Sequence, residues 1–148
     1  MMAFLFSFNS KWIFINVFYF CYEKLTLNIQ HSILNRNMNI EELRDYCLSL
    51  NGATESFPFG EETLVFKISD KIFLLVSLSS VPLQFNVKCD PEYAIELREQ
   101  YPLSILPGYH MNKKHWNTIM IDGTLNKSAL KRFIKDSYEL VKGKSKKK

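Results

Sequence analysis

The chain has 148 residues, of which 47% are hydrophobic and 23% charged, with a formal net charge of +4. One domain suits that length and can bury a core without disulfides or a structural metal. The ordinary charge content excludes wholesale disorder, and the absence of a recurring period excludes collagen, coiled coils and repeat arrays.

Residues 1–37 differ from the rest. They hold 9 of the 21 aromatic residues, no Gly and no Pro, and only one acid, Glu23. Ala3 to Tyr22 is almost wholly apolar and just long enough to span a bilayer, but Lys11 falls mid-span among Ser7, Asn9 and Ser10. A cation there costs about 2.5–3.5 kcal/mol. No basic stretch precedes the apolar run and no A-x-A-like site follows it, so a secretory signal fits poorly too. The Phe/Asn/Ile/Tyr/Lys bias resembles AT-rich DNA read in frame. The expectation is an N-terminal extension outside the domain, with translation starting at Met38. A membrane location is not expected. Three cysteines (Cys21, Cys47, Cys89), with no C-x-x-C pair, suit a reducing, cytoplasmic compartment.

From Met38 the pattern is that of a soluble domain. Asn39 and Glu42 predict a capped helix over Ile40–Leu50, with Ile40, Leu43, Cys47 and Leu50 on one face and Gly52 beyond its end. A short extended piece around Glu55–Phe59 comes next. Thr63–Ile68 and Lys71–Ser77, joined by Ser69-Asp70, predict a hairpin. Leu83, Phe85 and Val87 alternate with Gln84, Asn86 and Lys88, a third strand with one wet face. Asp90-Pro91-Glu92 opens a second helix that buries Ala94, Leu97 and Tyr101 and stops at Pro102. A second hairpin spans Leu103–Asp122 with its return strand over His115–Ile121. Asn126 caps a third helix, ending near Gly143 and burying Leu130, Phe133, Ile134 and Val141. The predicted order is α-β-β-β-α-β-β-α: an α+β fold with one antiparallel sheet and helices packed on one face. The domain is placed at 38–142, and 143–148 is expected to be a disordered lysine-rich tail.

Charge follows the same division. Residues 38–141 carry 11 basic and 14 acidic side chains, a net −3, while 142–148 contain five lysines. The basic pI therefore belongs to the ends and does not by itself argue for nucleic acid. Nucleotide-binding glycine loops, H-E-x-x-H and G-x-S-x-G are all absent, and Glu41/Glu42 and Glu61/Glu62 are neighbours that point apart. No enzyme, cofactor or metal is predicted.

The informative stretch is Pro107-Gly108-Tyr109-His110-Met111-Asn112-Lys113-Lys114-His115-Trp116. Asn112-Lys113-Lys114 is expected at the tip of the second hairpin, flanked by His110 and His115. Such a tip is either simply solvated over a packed Trp116 or a contact for phosphates, with His and Tyr adding hydrogen bonds or stacking. Two histidines without a third ligand make a weak metal site. A second cluster, Phe57-Pro58-Phe59, makes either an apolar plug or a groove for a protein or small ligand together with Trp116.

These stretches, with Asn39-Ile40-Glu41-Glu42-Leu43-Arg44, Glu55-Ser56-Phe57-Pro58-Phe59, Lys88-Cys89-Asp90-Pro91, Asp122-Gly123 and Ser137-Tyr138, stand in an order and spacing that resembles the MmcQ/YjbR family of small bacterial proteins. The resemblance runs from Met38 to about Lys142, and family members usually start where Met38 stands. It implies a CyaY/frataxin-like or secretion-chaperone-like α+β fold and DNA binding through a double-wing arrangement. Carried onto this chain, the DNA contacts fall on His110, Asn112, Lys113, Lys114, His115 and Trp116. Lysines gathered with Lys88 on one face would favour DNA; an apolar groove near Phe57 and Trp116 would favour a ligand.

Overall fold

The computed structural model describes residues 37–143, together with Glu23, Lys24 and Thr26. Chain contacts divide it into two units, Met1–Arg36 and Asn37–Lys148. The expectations for the apolar N-terminal segment and for most of the lysine tail lie outside the described residues. Among the described residues no helix is long and apolar enough to cross a membrane.

Helix α1 spans Ile40–Ser49. The Asn39 side chain accepts from the Glu42 N–H while Glu42 accepts from the Asn39 N–H, a complete capping box. Met38, 2% exposed, and Leu43, fully buried, occupy the two positions of a hydrophobic staple around that cap. Leu50 is the C-cap, and Gly52 turns the chain beyond it at φ +75°. Strand β1 (Ala53–Ser56) then pairs with β2 (Thr63–Ile68). It ends three residues before the predicted extended piece does, because the chain turns at Pro58-Phe59. It also adds a strand, so the order is α-β-β-β-β-α-β-β-α.

Ser69 and Asp70, both at positive φ, make the two-residue turn into β3 (Lys71–Ser77), and β4 (Gln84–Lys88) follows. Helix α2 (Pro91–Gln100) starts on an Asp90 cap with Pro91 at its first turn. After it come β5 (Ile105–Pro107), β6 (Trp116–Met120) and helix α3 (Lys127–Lys142), which Asn126 caps through the Ala129 N–H. The sheet has the order β1-β2-β3-β4-β6-β5, antiparallel throughout.

Side chains from all three helices join one cluster on one face of this sheet. Leu43 and Cys47 come from α1, Leu97 from α2, and Leu130, Phe133, Ile134, Tyr138 and Val141 from α3. They meet Leu64, Phe66, Val76, Phe85, Val87 and Ile119 from the strands. The alternation read from the sequence is thus a real in/out division. A smaller cluster of Val65, Leu75 and Trp116, with Ile72 and Met111 against it, occupies the other face.

Two ion pairs fasten α1: Arg44 to Glu55 on β1, and Glu42 to Lys127 on α3. Lys127 and the Asn39 N–H hold Glu42 below the usual carboxylate range, and Arg44 does the same for Glu55. Both contributions are present above the ordinary carboxylate pKa and are lost as pH falls through the lowered values. Arg44 and Lys127 are therefore engaged within the fold rather than offered to a partner.

Candidate nucleic-acid interface

The stretch singled out by sequence becomes the eight-residue connection between β5 and β6. It is not an extended two-stranded tip. Pairing of β5 with β6 ends at Pro107–Asn117. The Gly108 N–H then closes on the Trp116 carbonyl at 2.8 Å, and the Asn112 carbonyl accepts from both His115 and Trp116 N–H at 3.0 Å. These bonds draw His115 into a turn, so β6 begins one residue later than predicted. Asn112 also accepts from the Lys114 N–H through its side chain at 3.0 Å, an Asx-type turn that presents the two lysines.

Gly108 is required by close approach. A Cβ there would stand 2.7 Å from the Trp116 Cβ and 3.0 Å from its carbonyl oxygen. Gly108→Ala is expected to cost about 1–3 kcal/mol, because backbone must shift to relieve the overlap. Chemical denaturation tests this, and an unchanged midpoint would show that the connection adjusts freely.

Two interactions mount the connection on the sheet. The Tyr109 N–H donates to Thr118 Oγ1 at 3.1 Å, and Thr118 donates to Asn86 Oδ1 at 2.6 Å across β6 and β4. Arg98, on α2, donates to the carbonyls of Lys113 and Trp116 and, at 2.7 Å, to Asn117 Oδ1. Sequence gave no hint of this role for Arg98. Its only signal was a lone cation at the end of an acidic helix.

Five of the six predicted site residues line two adjoining grooves. Lys113 and Lys114 line one of about 620 Å³ with Asp90, Pro91, Glu92, Ile95 and Arg98. Asn112, His115 and Trp116 line the other, of about 540 Å³, with Lys88, Cys89, Asp90, Pro91 and Leu140. Asp90 and Pro91 belong to both. Lys88 Nζ lies 5.7 Å from the centre of the Trp116 ring, within cation–π range. Trp116 itself is only 7% exposed and acts mainly as the floor. His110 lines neither groove; it is exposed, at φ +53°, with its ring 4.0 Å from that of Tyr109.

Other chemistry is weakly provided for. Cys47 is fully buried and its thiol is pushed well up by burial. Cys89 is raised to about 11, by burial first and then by Asp90 and Asp136. Neither thiol is poised as a nucleophile at neutral pH. Among the described residues no group of three or more His, Cys, Asp and Glu is placed to hold a metal ion. Phe57 and Phe59 stand 51% and 63% exposed in the β1–β2 connection, and neither lines the groove that contains Trp116.

Known proteins resemble this chain in sequence and in fold. The sequence profile of the YjbR family matches residues 48–140. YjbR of Escherichia coli K12 is 32% identical over 102 residues, 69% of this chain and 86% of that protein. YbdF of Escherichia coli O157:H7 is 46% identical over 86 residues, 57% of this chain and 69% of that one. A crystal structure of a Deinococcus radiodurans protein with a DUF419 domain superposes with a TM-score of 0.70 at 41% identity, covering 74% of this chain and 82% of that one. A Pseudomonas syringae crystal structure gives 0.61 at 27% identity, covering 70% and 99%. With the profile over most of the domain and a relative matched along most of its length, the chain belongs to the YjbR family.

Proposed function

We propose that this protein is a non-enzymatic, cytoplasmic DNA-binding protein that contacts phosphates with Lys88, Lys113 and Lys114, with Asn112 and His115 supplying hydrogen bonds. The observation that carries this is the gathering of those three lysines around two grooves that share one wall. None of the three takes part in the ion pairs found among the described residues. The lysines beyond Gly143 add sequence-independent affinity. Asp90 and Glu92 bound the basic area, so the footprint is small. Lys113 and Lys114 stand in a loop and Lys88 closes β4 inside the sheet, so no helix or free β-ribbon presents the lysines to a groove; base readout is weak and affinity is mostly electrostatic.

The test is the salt dependence of binding. Log affinity against log salt should fall steeply for the full chain, and Lys113→Ala with Lys114→Ala should flatten the slope by about two phosphate contacts. Unchanged binding by the double variant would remove the connection as the contact.

A further inference from the structure

An exposed aromatic on a rigid mount sits in the same connection as the lysines, and no phosphate contact needs it. Tyr109 is 70% exposed, yet its backbone is tied through Thr118 to Asn86 in the middle of the sheet. His110 holds a left-handed conformation beside it, and the two rings meet at 57°. A non-glycine residue at positive φ persists only where its surroundings fix it. Leu106, opposite Thr118 in the ladder and 39% exposed, adds apolar surface on the same side of the sheet. Large exposed apolar groups held in place mark contact surfaces.

Charge then decides which form of DNA fits. A duplex is a broad, dense array of phosphates, with one charge per roughly 1.7 Å of axis. Laid on Lys113 and Lys114, it would also bring phosphates over Asp90 and Glu92 in the same groove, and over the exposed Glu96 and Glu99 further along α2. A single strand is narrower, can thread past the carboxylates, and offers bases that stack on an aromatic ring.

Building on the DNA-binding reading, we propose that the site takes unpaired DNA in preference to duplex. Tyr109 is the platform for one base, backed by His110, and Lys113 and Lys114 hold the neighbouring phosphates.

The experiment compares binding of the full chain to an oligo-dT strand, an abasic strand of the same length and a duplex of the same length, at one salt concentration. Tyr109→Ala and Tyr109→Phe are carried alongside, with thermal melting to confirm folding. Oligo-dT should bind at least about tenfold more tightly than either of the others. Tyr109→Ala should lose roughly that factor on oligo-dT alone, and Tyr109→Phe should keep it. Equal affinity for the three polymers, or an oligo-dT affinity that Tyr109→Ala leaves intact, would overturn the preference while leaving DNA binding standing. Failure of every polymer to bind would overturn the DNA reading and this one with it.

Discussion

Ser137→Ala is expected to lower stability by about 2–3 kcal/mol although it removes one oxygen atom. Ser137 is fully buried on α3. Its hydroxyl donates to the Phe73 carbonyl and accepts from the Lys88 N–H at 2.8 Å. Register explains why a helix supplies these bonds. Leu74 pairs with Val87, so the β3–β4 ladder continued by one residue would set Phe73 against Lys88. Phe73, however, is the extra residue where the β2–β3 register shifts, between the Phe66–Leu74 and Lys67–Ile72 pairs. The bulge opens the ladder there, and the Ser137 hydroxyl fills the opening. Alanine leaves a buried donor and a buried acceptor short of a partner, each costing about 1–3 kcal/mol with partial relaxation. Urea denaturation should show a lower midpoint at constant slope, and the Lys88 amide should exchange faster. A loss below about 0.5 kcal/mol would mean that Phe73 and Lys88 bond directly once the hydroxyl is gone.

That bond belongs to the part of the fold the sequence could not disclose. Strands β2 and β3 were readable to the residue, because period-two alternation and a two-residue turn are local. The helix caps at Asn39, Asp90 and Asn126 were readable for the same reason: a capping side chain acts within three residues. Ser137 and Tyr138 were not. Position 137 falls on the stripe that Phe133, Ile134 and Val141 mark as buried, but nothing local tells which strands its hydroxyl reaches, here β3 and β4. The Tyr138 hydroxyl reaches the Asn51 carbonyl at 2.7 Å, while its ring packs edge-on against Phe73. Such contacts depend on where α3 lies across the sheet, which no local window contains.

The candidate site was legible as a composition and not as a shape. Tyr, His, Lys and Trp crowded into ten residues single out the β5–β6 connection. Hairpin propensity suggested a protruding tip, whereas long-range bonds fold the connection down. Lys88 joins the lysines because β4 pairs with β6, which sets it opposite Trp116. The carboxylates of α2 join them because α2 packs under β5 and the connection. The apolar Phe57–Phe59 cluster failed to meet Trp116 for the converse reason: β1 is the far edge of the sheet from β5.

Arg98→Ala is expected to have the other large effect, about 2–4 kcal/mol, together with loosening of the lysine-bearing connection. Its guanidinium bonds three acceptors, the carbonyls of Lys113 and Trp116 and the side chain of Asn117. Asn117 is fully buried, and its Nδ2 already has no hydrogen-bond partner. Arg98 accounts for the orientation of that amide, since a guanidinium only donates and so must face Oδ1. Without Arg98 both ends of a buried amide are unpaired, at about 1–3 kcal/mol for the newly orphaned oxygen alone. Losing the charged bonds to the two carbonyls adds to this. Lysine at 98 should rescue little, because one ammonium cannot span the planar fork. Adding Asn117→Ala to Arg98→Ala should cost less than the two single losses summed, since the orphaned amide is then removed. Hydrogen exchange should rise across 113–116, and on the DNA-binding reading proposed above affinity should weaken even though Lys113 and Lys114 remain, because ordering them then costs entropy on binding. Full additivity in that cycle, or unchanged exchange at 113–116, would show that Arg98 is not what holds the connection against α2.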